Sequence, residues 1–160
     1  MSRVDSTYNM GLEFTSMQGK AFDQMEQKIL HTLDDLRSVN EDLRALQELS
    51  ARLAQAKKEK KKVDFNEDVH MQHTIDRVRE LNPTVFKELT YQIEVDQIED
   101  LLTSCKEMTT ERMTEANRIG SYVSLYYQDR IQMTDISQKA LDLLIREYNI
   151  FVSNQKASGG

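Results

Sequence analysis

The sequence predicts an all-α fold: an elongated antiparallel coiled-coil hairpin of two long helices with a small helical insertion. Three observations lead there. The 160 residues include only 5 Gly and 1 Pro, too few turn formers for a many-stranded sheet. Two long stretches, Ala21 to about Lys57 and Gln92 to about Ser153, contain no proline and a single glycine, Gly120. Within both stretches the apolar residues recur in heptads, the spacing of helices that pack along helices. The length suits one domain, and no apolar run approaches the roughly 20 residues of a membrane span. Cys105, the one cysteine, excludes an internal disulfide framework. A balance of 21 basic against 27 acidic residues, net −6, opposes general nucleic-acid binding, whose footprint is a basic excess.

The chain divides into a flexible leader over 1–20, a hairpin domain over 21–155 with an insertion at 63–91, and a disordered tail over 156–160. The leader begins Met-Ser-Arg-Val-Asp-Ser-Thr-Tyr-Asn-Met and has no apolar core of a cleaved secretory signal. It reads either as a plain leader ahead of the first helix or, more sharply, as an uncleaved export signal of the type III secretion kind.

In the first long helix Phe22, Ile29, Leu36 and Leu43 occupy one seam position, and Met25, Val39, Leu46 and Leu53 the other. Thr32 and Ser50 are the polar interruptions. At 1.5 Å per residue the stretch makes a rod of roughly 55 Å. It ends in Lys57-Lys58-Glu59-Lys60-Lys61-Lys62, a lysine cluster that complements the negative end of the helix dipole and reads as a solvated terminus. Asp64 with Glu67 has capping-box spacing and predicts a second helix from about Asn66 to Leu81, with Val69, Ile75 and Val78 apolar. Asn82-Pro83 forces a corner, and Pro83 suits the first turn of a short helix carrying Val85, Phe86 and Leu89.

The last stretch predicts one helix of some 60 residues, roughly 90 Å long. Its seam runs through Ile98, Leu101, Cys105 and Met108, then Ile119, Tyr122, Tyr126, Met133, Ile136, Ala140, Leu143 and Ile150. Arg112, Glu115, Asp129 and Glu147 interrupt it, while Val123, Leu144 and Phe151 stand beside it. The seam residues of both helices form the candidate interface. Tyrosine is enriched at interfaces, and the eight methionines suit adaptable contacts.

Chemistry has few candidates. Glu67, His70 and His73 lie on the second helix, but the only other histidine, His31, follows Lys28 rather than a glutamate, so half of a di-iron signature is missing. Asp64-x-Asn66-x-Asp68 opens like an EF-hand loop, yet Val69 stands where glycine is required and Ile75 where the bidentate Glu belongs. Cys105 lies on the seam and reads as a small buried hydrophobe. No catalytic, metal or cofactor site is expected.

The polar leader, the Leu-rich run Leu46-Gln-Glu-Leu-Ser-Ala-Arg-Leu-Ala-Gln-Ala56, the Lys-rich tip with the Val63-Asp-Phe65 restart, and the Gln/Ser/Thr-spotted heptads around Ile98-Glu-Asp-Leu-Leu102 and Arg130-Ile-Gln-Met-Thr-Asp-Ile-Ser137 follow one another in a familiar order. The chain resembles the extracellular helical proteins of type III secretion systems, EspA-type filament subunits and hairpin-bearing needle-tip proteins, over roughly 25–60 and 95–155. Tyr122, Tyr126, Tyr127 and the Gly-Gly terminus depart from that group. The resemblance implies a non-enzymatic structural protein, secreted without a cleaved signal and displayed at the cell surface. Its implied partners are other copies of itself, secretion-apparatus proteins and a cytoplasmic chaperone, with no nucleic acid and no small-molecule substrate. The alternative is a cytoplasmic helical adaptor, chaperone or stalk of an export apparatus.

Overall fold

The computed structural model describes residues 12–159, with side chains over 24–156. Among these residues are four α-helices: α1 (Leu12–Glu59), α2 (Val69–Leu81), α3 (Val95–Gln128) and α4 (Asp135–Gly159). Two two-residue strands, β1 (Val63–Asp64) and β2 (Gln92–Ile93), pair antiparallel with Val63 opposite Ile93. The all-α expectation holds. The leader at 1–11 and the side chain of Phe22 lie outside the described residues. α1 already begins at Leu12, inside the stretch expected as leader, and α4 continues to Gly159 through most of the expected tail.

Two compact units are present, one made of Ser38–Asn117 and the other of the residues up to Arg37 with those from Arg118 onward. In the Ser38–Asn117 unit, Lys57 reaches Glu99 at 3.4 Å and Ser50 bonds to Cys105. Numbers falling along α1 therefore meet numbers rising along α3, an antiparallel pair closed by the β1–β2 ribbon. Its core joins Leu46, Leu49 and Leu53 of α1 to Ile98 and Cys105 of α3 and to Phe65, Met71, Ile75 and Phe86 of the insertion. Each fully buried large side chain contributes about 1.5–3 kcal/mol.

The insertion departs from expectation in three ways. Asp68, not Asp64, caps α2: its carboxylate accepts from the Met71 N–H at 3.1 Å. Asp64 accepts from the Asn66 backbone and side chain instead, an Asx-turn that holds the chain out of the helix. Residues 83–88 form turns, not a helix, because burying Phe86 and Leu89 satisfies the apolar positions without one. The strand pair is too short to leave an alternation pattern in the sequence. α2 is fastened to α1 by Arg77, whose Nε donates to Asp42 Oδ1 at 2.8 Å and whose Nη2 donates to the Ser38 carbonyl at 3.0 Å. Burial pushes the Asp42 carboxyl above its ordinary value, and Arg77 opposes that shift.

α1 stops by a Schellman arrangement. The Lys61 N–H donates to the Ala56 carbonyl at 3.0 Å and the Lys60 N–H to the Lys57 carbonyl at 3.2 Å. Lys60 takes the left-handed backbone at φ 56°, where glycine is the usual occupant.

In the other unit α1, α3 and α4 meet pairwise. The Tyr126 hydroxyl lies 3.1 Å from Thr32 Oγ1, Arg37 reaches Glu147 at 3.7 Å, and Gly120 abuts Tyr148. A Cβ on Gly120 would stand 2.7 Å from Tyr148 Cζ, so the close approach of α3 to α4 uses the missing side chain. The expected single helix of 60 residues is overturned here. α3 ends at Gln128, a 3-10 turn covers Arg130–Gln132, and α4 starts at Asp135. No proline or glycine makes the break. Thr134 caps α4, its Oγ1 accepting from the Ser137 N–H at 3.1 Å, and Gln138 Nε2 donates to the carbonyls of Arg130 and Met133. Side chains thereby satisfy the backbone groups that a helix terminus exposes.

Candidate functional site

The expected seam residues separate into three sets. Ile29, Leu36, Ile119 and Met133 are buried in the α1–α3–α4 unit, and Val39, Leu43, Leu46, Leu53, Ile98, Leu101 and Met108 in the Ser38–Asn117 unit. Met25 and Tyr126 are half-buried. Tyr122, Ile136, Leu143 and Ile150 face solvent.

Apart from Tyr122, which lies on α3, the last set follows from the break. A new helix takes its phase from its own cap, and α4 buries Ser137, Ala140, Leu141, Leu144 and Phe151, of which only Ala140 belongs to the heptads counted from α3. The signal was the Thr134-x-x-Ser137 capping pair, hidden inside an otherwise continuous pattern. The side chains left outside lie seven residues apart, at Ile136, Leu143 and Ile150, and so form one stripe along the helix. Ile131 on the 3-10 turn is 94% exposed, and Leu125 and Tyr127 are exposed near the end of α3.

Thr32, Ser50 and Glu147, polar interruptions of the seam, have structural partners. Thr32 donates to the Lys28 carbonyl at 2.8 Å, so the Tyr126 hydroxyl donates to Thr32. Ser50 bonds to Cys105, and Glu147 to Arg37. Arg112 Nε is buried without a hydrogen bond, while Asp42 interacts with its charge.

Groups able to carry chemistry do not converge among the described residues. Burial pushes the Cys105 thiol up to about 11, with the Ser50 bond pulling the other way, and a protonated thiol is a poor nucleophile. His70 Nε2 lies 2.7 Å from Glu48 Oε2, and His73 is exposed. Among the described residues no three His, Cys, Asp or Glu side chains converge to hold a metal ion. No helix there is long and apolar enough to cross a membrane.

A cleft of about 250 Å³ separates α1 from α3 beside the Thr32–Tyr126 bond. Lys28, His31 and Asp35 line one wall, and Arg118 and Tyr122 the other. His31 lies 3.5 Å from Asp35, and the Arg118 guanidinium sits 5.7 Å from the Tyr122 ring centroid. Each of these contacts runs along one wall, within its own helix, and none converges on a point inside the cleft.

Comparison with known proteins finds no matching family model, no similar curated protein and no similar solved structure.

Proposed function

We propose that the chain is a non-enzymatic structural subunit that works by helix-to-helix association, as needle-tip and filament proteins of type III secretion systems do. One observation carries the reading. Of ten large apolar side chains exposed among the described residues, seven fall between Tyr122 and Ile150, on α3, α4 and the turn between them. Apolar surface concentrated in this way marks an interaction site. The buried, protonated Cys105 and the pairing of His70 with Glu48 support a role without catalysis. On this reading the protein is secreted without a cleaved signal and assembles with copies of itself and with secretion-apparatus proteins.

Light scattering coupled to size exclusion, with electron microscopy of concentrated protein, tests the assembly. Particles that grow with concentration are expected, and a strict monomer at all concentrations would overturn the proposal. Fractionation after induced secretion tests the location: retention inside the cell would favour a cytoplasmic adaptor.

A further inference from the structure

We infer that the outward stripe of α4 is a docking site for an amphipathic partner helix with an acidic flank. The inference goes beyond the assembly proposed above and is independent of any self-association through other surfaces.

The three exposed residues Ile136, Leu143 and Ile150 span about 21 Å at 1.5 Å per residue, the length of four helical turns. The two banks of this stripe differ. Glu147 lies four residues beyond Leu143 and is held by Arg37 at 3.7 Å, so α1 closes that side with a neutralised pair. On the opposite bank Lys139 and Arg146 each stand three residues beyond an apolar stripe position, and both are exposed. Two acids share that bank: Asp135 sits in the first turn of α4, where the helix dipole favours it, and Asp142 is bound by Arg130 Nη1 at 2.8 Å and drawn on more weakly by Arg146. A trough of about 500 Å³ continues along the same bank past Arg146 and Ile150 to Asn154. Apolar positions edged by two cations fit a helix carrying leucines at heptad spacing and carboxylates on one flank.

A second α4 fits less well. In a two-fold antiparallel pair the same edge of each helix meets. Lys139 would then lie beside the copy's Arg146, and Arg146 beside the copy's Lys139, and like charges so placed repel.

Fluorescence anisotropy of the full chain with two labelled synthetic helices tests the inference. Both peptides carry the same leucine stripe, one flanked by glutamates and the other by lysines. The glutamate peptide is expected to bind at least tenfold more tightly than the lysine peptide. Leu143→Asp should weaken its binding at least tenfold, and the Lys139→Glu/Arg146→Glu double variant should reverse the preference. Circular dichroism and thermal unfolding of each variant confirm that the fold persists, which the exposure of all three positions favours. Equal binding of both peptides, binding of neither, or a preference untouched by charge reversal overturns the inference. So does a dimer in sedimentation that Leu143→Asp dissolves, since the second copy is then the occupant. A monomer that still prefers the glutamate peptide refutes self-assembly while leaving this site intact.

Discussion

Leu143 and Leu144 are neighbours of identical chemistry, and α4 places them on different faces. Leu143 is 39% exposed and Leu144 fully buried. Truncating Leu144 to alanine removes buried methyl groups and leaves a cavity between packed helices, a loss of about 3–5 kcal/mol. Truncating Leu143 removes groups that water already reaches in part, with no enclosed cavity, so the loss is about 1 kcal/mol. For a chain of this length each kcal/mol moves the melting temperature by about 2–4 °C. Urea unfolding followed by circular dichroism, at a concentration low enough to prevent association, should give Leu144→Ala a markedly lower midpoint than Leu143→Ala. A continuous α3–α4 helix in the heptad phase counted from Ile98 requires the opposite order. If Leu143→Ala is the more damaging change, the break at residues 129–134 and the phase of α4 are both refuted.

Other outcomes follow from single features. Lys60 holds a left-handed backbone at φ 56°, which costs a non-glycine residue roughly 1–2 kcal/mol. Against the greater chain entropy of unfolded glycine, about 0.5–1 kcal/mol, Lys60→Gly should stabilise by up to about 1 kcal/mol in urea unfolding, while Lys60→Ala changes little. With its thiol pushed up to about 11, Cys105 should react with a thiol reagent at pH 8 only after denaturation, then at one equivalent per chain. The Arg130 bond holds the Asp142 carboxyl below its ordinary value. Its contribution to stability is therefore present above the ordinary carboxylate range and lost as pH falls through the lowered value. Arg130→Ala should return Asp142 to ordinary titration in carboxyl NMR, and an unchanged titration would refute the pairing.

Long amphipathic helices were legible because periodicity accumulates. In α1, Ile29, Leu36, Val39, Leu43, Leu46 and Leu53 are all buried, as their spacing requires. The α3–α4 break was not legible: nothing there breaks a helix by itself. It depends on Thr134 and Gln138 capturing backbone groups, a competition between local hydrogen bonds and helix continuation that heptad counting cannot weigh. Heptad counting carried through the break places Ile136, Leu143 and Ile150 inward and Leu144 and Phe151 beside the seam. Asp64 and Asp68 show the same limit, since both can cap and only packing of Phe65 and Met71 selects between them. Gly120 was visible only as an isolated glycine, because its purpose lies in Tyr148, 28 residues on.

The β1–β2 ribbon bears on the order in which the chain acquires its structure. It joins Val63 to Ile93 and anchors one end of the antiparallel α1–α3 pair. Lys57 meets Glu99 across 42 residues of sequence, whereas Thr32 meets Tyr126 across 94. Closing the wider loop first costs about 0.7 kcal/mol more than closing the narrower one. The favoured route therefore starts at the ribbon, with Thr32 and Tyr126 among the later arrivals.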